Sequence, residues 1–421
     1  MKKVITMFLL LVVAAGFAAA GGKTESGGAT TIRMSWWGGE ARHNATLSAL
    51  EVFERQNPGI KVTPEYQGYE GYHEKVIAQL AGRTAPDIFQ FNPEDIMTIS
   101  GNGHAVDLNQ FRGKGLDLTN VPESNLKDGT FDGKLYTIPL SLQTFCILLN
   151  KTKIEAAGMT IPRPNWTWDD YYSFVTQLQT RLPPGVYASN DLRMDADAAI
   201  CYVHQQGGAM LTPSKEIKFA AYAGPFFSRF QDLMKAGIVP PMEESVTGPD
   251  QLFTEGRTLV TFNYNAMVDG LASEMADGNQ VVLLPVPSSQ DSKKLGMWVK
   301  GDIGLVINSR SKNTAEAVKL LNGFVNNTDM YNHLKLTRGV PPSTAVLEYL
   351  SRNMTPLEKL VLEMQFLAAE SKDTPEARYY QGWSTQYQVI EDQVQNYAFG
   401  RIDLATALKN IEDNFRRELG R

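Results

Sequence analysis

Cysteine is scarce in this chain, with Cys146 and Cys201 the only two among 421 residues. That excludes a disulfide-stapled scaffold and any cysteine-rich metal site. An oxidising compartment permits one bridge between them. Each lies in an apolar stretch, however, where two buried thiols are the simpler expectation. Histidine is sparse too: His43, His73, His104, His204 and His333 show none of the close spacing of a zinc site. A Gly-x-Ser-x-Gly elbow and a His-Glu-x-x-His pair are both missing. Positive charge is not in excess. The formal net charge is −6, which argues against nucleic acid or an anionic membrane as a partner. Beyond the first twenty residues no hydrophobic run is long enough to span a bilayer, and no solenoid-type repeat occurs.

What is present begins at the amino terminus. Lys2 and Lys3 precede the apolar run Val4 to Phe17, and Ala18-Ala19-Ala20 follows. This pattern predicts a cleavable signal peptide over residues 1–20, and hence a periplasmic or otherwise extracytoplasmic product. The run is shorter than the ~20 residues of a spanning helix. Gly21 stands where a lipid-bearing cysteine would be needed, and residues 21–31 read as a flexible tether. Gly22-Lys23-Thr24 imitates the end of a phosphate-binding loop, but Phe17 replaces its first glycine and no strand precedes it. Cleavage removes two lysines, taking −6 to −8 for residues 21–421. The remaining chain exceeds the ~250–300 residues at which single cores stop growing, so two lobes are expected.

Periodicity then gives an α/β chain. Ile32–Trp36, Ile60–Tyr66 and Ile88–Phe91 read as strands. Between them lie a helix carrying Leu47, Leu50 and Phe53, and a second helix over Tyr72–Ala81. Such a βαβαβ opening predicts a parallel sheet with right-handed crossovers. Asp132-Gly133 marks a tight turn, Lys134–Pro139 and Phe145–Leu149 read as strands, and Leu140–Thr144 as a crossing between lobes. Helices are expected over 169–180, 196–206, 223–235 and 314–325. Strands are expected over 258–262, 281–284 and 303–308, with Asn263-Tyr264-Asn265 as a polar, aromatic turn.

Several segments, in order, resemble the extracellular solute-binding proteins that include maltose- and oligosaccharide-binding receptors. Phe53-Glu54-Arg55-Gln56-Asn57-Pro58-Gly59-Ile60-Lys61-Val62 is similar to the family's first helix-to-strand junction. Ala85-Pro86-Asp87-Ile88 resembles the approach to its third strand, and Asp132 to Pro139 the segment entering the hinge. Asn150-Lys151, Trp166-Thr167-Trp168-Asp169-Asp170, Phe253-Thr254-Glu255-Gly256-Arg257 and Arg338-Gly339-Val340-Pro341-Pro342 extend the likeness. The resemblance implies the two-lobed type II periplasmic binding protein fold, each lobe a sheet flanked by helices and joined by a hinge. Mapped here, lobe one takes residues 30–140 plus 265–325 and lobe two 145–262 plus 330–421. It also implies a monomeric sugar receptor without cofactor or catalytic residues, handing an oligosaccharide to the membrane permease of an ABC importer. Ser35-Trp36-Trp37-Gly38-Gly39-Glu40-Ala41-Arg42-His43 resembles members that bind pectin oligosaccharides.

A pyranose has an apolar C–H face and a rim of hydroxyls, so a sugar cleft needs rings beside many polar groups. In parallel sheets ligands bind beyond the carboxyl ends of strands. Trp36 and Trp37 end the first strand on opposite faces, so one is expected in the core and Trp37 in the cleft. Gly38 and Gly39 allow close backbone approach. Arg42 and His43, in the first turn of the next helix, suit an acidic sugar or a solvated helix end. Tyr69, Tyr72 and Asn92 follow the second and third strands. Gln143 lies in the crossing, with Asn263, Tyr264 and Asn265 at the next. Trp298, Arg338 and Trp383 complete the candidates, and Trp166 and Trp168 read as packing residues. Two rivals stay open: an exported carbohydrate-active enzyme using adjacent carboxylates such as Asp169-Asp170 or Glu243-Glu244, and the same fold holding a polyol, sugar phosphate or peptide.

Overall fold

In the computed structural model, residues 28–212, 216–246, 248–276, 278–289, 294–371 and 383–418 are described. The expected signal peptide and most of the tether lie outside them. Among the described residues there are ten strands: β1 (Thr30–Trp37), β2 (Ile60–Gln67), β3 (Ile88–Phe91), β4 (Thr130–Phe131), β5 (Lys134–Leu135), β6 (Thr137–Gln143), β7 (Phe145–Asn150), β8 (Val260–Tyr264), β9 (Val281–Leu284) and β10 (Lys300–Ile307).

The opening forms as the periodicity predicts. Helices Glu40–Gln56 and Tyr72–Ala81 connect strands that pair in parallel, β1 with β2 and β1 with β3. Two further strands, β10 and β6, add antiparallel neighbours to give the order β2-β1-β3-β10-β6. Alternation sorts this sheet's side chains. Ile32, Met34, Trp36, Ile88, Leu305 and Ile307 enter one core, while Trp37, Phe89, Phe91 and Val306 enter another on the opposite face. At the tight turn, Asp132 and Gly133 both take positive φ, as a two-residue hairpin between β4 and β5 requires.

The second sheet has the order β8-β7-β9, wholly antiparallel. Phe145, Ile147, Leu149, Val260 and Phe262 feed its larger core. Cys146 and Leu148 point the other way, into a core shared with Val268, Leu271 and Val361. Both cysteines are free, buried thiols. The two sheets, each with its own helices and main core, meet through a shared core that takes Leu142 from one and Cys146 and Leu148 from the other, and make a two-lobed α/β fold.

Three expectations change. Leu140–Gln143 is not a crossing but the end of β6, fully buried and paired with β10, so the passage between sheets shrinks to Thr144. Asn263 and Tyr264 belong to β8, because they pair with Cys146 and Phe145 across the ladder. Residues 265–284 pack with the three-stranded sheet, where β9 pairs with β7 and Val268 and Leu271 meet Cys146 and Leu148. Conversely, helices Thr328–Leu334 and Thr344–Ser351 bury Met330, Leu334 and Val346 in the core of the five-stranded sheet. The chain therefore passes between sheets at Thr144, between Leu284 and Lys300, and between Ser351 and Pro356.

Candidate functional site at the junction of the two sheets

One edge of the five-stranded sheet collects the carboxyl ends of β1, β2, β3 and β6 and the start of antiparallel β10. The three-stranded sheet meets it there. Gln143 pairs with Lys300, and two residues on, Phe145 pairs with Tyr264. Most sequence-predicted site residues lie along this line, but in different states.

Trp36 is fully buried. Its ring stacks on Tyr66 at 5.0 Å and its Nε1 donates to His43 Nδ1 at 3.1 Å, so it serves the core and not the cleft. Trp37 turns to the other face, its ring centroid 5.8 Å from Tyr69, 5.2 Å from Tyr72 and 5.0 Å from His73. Of that group Tyr69 is exposed. Tyr72 is buried, its hydroxyl 2.9 Å from Ser35 Oγ, which makes it a support for Trp37 and not a cleft ring.

Gly38 has a local steric reason: a Cβ there would stand 2.6 Å from Arg42 Cδ. The space lets the Arg42 side chain fold back, with Nε donating to the Thr337 carbonyl at 3.1 Å. Gly39 caps helix Glu40–Gln56 with extended backbone and open space around it. Arg338 Nη2 donates to Thr46 Oγ1 at 2.8 Å and Nε to Gln90 Oε1 at 3.3 Å, while Nη1 is buried with no partner among the described residues. Neither Arg42 nor Arg338 has an ion pair among the described residues. Burial lowers both guanidinium pKa values. Arg338 falls to about 9, its neighbour Arg42 adding to the effect, while Asp302 partly offsets the fall at Arg42. Burial, then Arg42 and Arg338, also lower the pKa of His43. Two close cations with no ion pair among the described residues, Asp302 acting on Arg42 only at longer range, leave this wall short of negative charge.

The amides of Asn92 and Gln143 are buried and make no side-chain hydrogen bond among the described residues. Asn263 differs, its Nδ2 donating to Asp250 Oδ1 at 2.8 Å. Asn265 differs further: it accepts from Thr144 N at 2.9 Å and donates to the Val361 carbonyl at 3.1 Å and Gln365 Oε1 at 3.2 Å. It is a strut across the passage, not a cleft amide. Trp298 is half-buried, its ring 4.4 Å from Phe145 and 5.0 Å from His204. Trp383 opens helix Trp383–Ala398, but its side chain lies outside the described residues.

The three-stranded side carries groups that sequence reading missed. The Tyr264 hydroxyl donates to buried Asp197, Tyr387 lies close to the same carboxylate, and Lys300 Nζ stands 5.1 Å from the Tyr264 ring centroid. Burial raises the pKa of Asp197, opposed by Lys300 and the Tyr264 hydroxyl. Burial, then Asp197, raises that of Glu391 to about 7. Single charged residues from distant segments leave no sequence pattern, so nothing short of the fold brings them together. The adjacent carboxylates are structural: Asp170 completes a capping box with Thr167, and Glu244 pairs with Arg257. Trp166 and Trp168 are buried, their indole N–H groups bonded to the Pro285 carbonyl and Gln205 Oε1, both at 2.8 Å.

Two α/β lobes meeting at an edge lined with rings and with polar groups that make no side-chain bond among the described residues can hold a small polar solute between them. Family comparison agrees: the model of the bacterial extracellular solute-binding proteins matches residues 34–328. The chain belongs to that family, whose members are receptors and not enzymes. A diacetylchitobiose binding protein of Streptomyces coelicolor is 26% identical over 208 residues, 47% of this chain and 46% of that protein. The chain spans less than half the length of the curated relatives it matches. A periplasmic solute binding protein from Pectobacterium atrosepticum superposes at TM-score 0.83 and 23% identity, covering 93% of this chain and 98% of that one. A periplasmic oligogalacturonide binding protein from Yersinia enterocolitica, solved with saturated digalacturonic acid, gives 0.78 and 24% over 93% and 98%.

Proposed function

We propose that the chain is the extracytoplasmic receptor of an ABC-type sugar importer, holding an oligosaccharide between its lobes and delivering it to the membrane permease. The carrying observation is the wall of rings and polar groups on the five-stranded lobe. Tyr69, exposed and backed by the buried Trp37 ring, offers a stacking surface, and the Asn92 and Gln143 amides make no side-chain hydrogen bond among the described residues. Hydroxyls leaving water need replacement hydrogen bonds. The diacetylchitobiose and oligogalacturonide binding relatives support a sugar ligand.

The finer reading is an acidic sugar, pectin-derived and uronate-containing. Its support is the Arg42–Arg338 pair, which lacks any carboxylate partner among the described residues. A uronate would supply the missing charge through charge-assisted bonds. The five-stranded lobe, about residues 30–143 with 300–351, and the three-stranded lobe, about 145–284 with 356–418, then close about the three passages. Driving such a switch from mostly open to mostly closed takes about 5.5 kcal/mol of preferential binding. Titration calorimetry with oligogalacturonides and neutral oligosaccharides of equal length tests the acidic reading. Tighter binding of the acidic series is expected, weakened at least about tenfold by Arg42→Ala. Preference for neutral sugars with Arg42→Ala silent overturns it.

A further inference from the structure

We propose that Asp197 is a positioning residue for solute capture: it anchors the ring of Tyr264 and, with Lys300, ties the three-stranded lobe to the five-stranded sheet. This rests on the reading that the solute binds at the junction.

Three separate elements converge on one carboxylate. Asp197 is the second residue of helix Ala196–Gln205 and is 2% exposed. Tyr264 donates to it from the end of β8, and helix Trp383–Ala398 brings Tyr387 and Glu391 close to it. A fourth element supplies the cation, since Lys300 begins β10 in the other sheet and lies over the Tyr264 ring. The Tyr264 ring is 5.1 Å from that of Phe145, which is 4.4 Å from that of Trp298. Asp197 therefore sets the angle of the first ring in an aromatic row at the junction.

The chemistry explains why a carboxylate serves here. An ionised carboxylate is a strong, acceptor-only partner for the Tyr264 hydroxyl, and a protonated one loses part of that capacity. An anchored hydroxyl removes the ring freedom that a ligand would otherwise have to freeze, so affinity rises through preorganisation. Ionised Asp197 also balances Lys300 across the passage. The titratable groups around it are Asp195 and Cys201 on or beside its own helix, Glu391 and Tyr387 from helix Trp383–Ala398, Tyr264 from β8 and Lys300 from β10. Three carboxyl groups face one ammonium. Acidification therefore adds protons to this cluster, and when Asp197 takes one, an anchor and the charge balance are both lost.

The test is calorimetric affinity for the bound oligosaccharide between pH 5.5 and 8, in full-length mature protein. Wild type should bind more weakly toward pH 5.5. Asp197→Asn should bind about tenfold more weakly at pH 8 and show a flattened pH profile. Tyr264→Phe, which keeps the ring and removes the hydroxyl, and Lys300→Met, which keeps the stem and removes the charge, should each reproduce part of that loss with unchanged thermal unfolding. These two variants keep the proposal open to refutation if Asp197→Asn fails to fold. Wild-type affinity and pH profile in all three variants overturn the positioning role, while the receptor reading stands if Arg42→Ala still weakens binding. Failure of the wild type to bind any sugar overturns both.

Discussion

The two walls of the junction solve opposite electrostatic problems. On the five-stranded side Arg42 and Arg338 sit close together without an ion pair among the described residues, beside amides that make no side-chain bond there. On the three-stranded side Asp197 is buried too, but the Tyr264 hydroxyl and Lys300 already attend it. Both walls hold charge away from water at a cost in stability. Only the second answers that cost from within the protein. The difference teaches where a ligand is awaited: a wall with unmet hydrogen-bonding and charge demand takes the solute's polar rim, and a wall complete in itself supplies a rigid surface.

The largest expected effect comes from breaking the incomplete wall. Arg338→Met should weaken an acidic oligosaccharide by about a hundredfold, the value of charge-assisted bonds in a buried site. The free protein should keep its stability within about 1 kcal/mol, because removing an unpaired buried guanidinium offsets the lost bonds to Thr46 and Gln90. Calorimetry and thermal unfolding of the same variant check both halves, and a large loss of stability would make Arg338 a structural residue.

Next is the strut between the walls. Asn265→Ala removes three side-chain hydrogen bonds at the passage and takes from Thr144 N its acceptor and from Gln365 Oε1 its donor, while the Val361 carbonyl keeps its helical bond. A loss of about 2–3 kcal/mol in urea unfolding is expected. A neutral result would show that water replaces the amide.

The smallest effect sharpens the acidic wall. Glu391 has a folded pKa of about 7, above its ordinary 4.5. The folded state therefore binds its proton more tightly, and the stability it contributes is fully present below about 4.5 and is lost as pH rises through 7. Wild-type melting temperature should fall relative to Glu391→Gln between pH 5 and pH 8. Parallel profiles would place Glu391 in an environment closer to water.

Much of the five-stranded wall is legible in sequence, because local rules build it. The βαβαβ opening follows from apolar runs alternating with amphipathic helices, and Trp36 and Trp37 divide between faces through strand alternation alone. Gly38 announces a close approach, although only the fold reveals Arg42 as the group that needs it. The polar run Asn263 to Asn265 reads as a turn since burial of polar residues in a strand depends on partners in another segment, here Cys146 and Phe145. Asp197, Lys300 and Tyr387 are invisible for the same reason. The lobe limits shift because β9 and helix Val268–Glu274 choose their sheet by long-range pairing, which no local pattern encodes.

Small-angle scattering with and without a saturating oligogalacturonide tests most directly whether the solute lies between the lobes. Ligand held by both walls predicts a smaller radius of gyration in the bound state; an unchanged radius with a tightly bound ligand would contradict capture by closure.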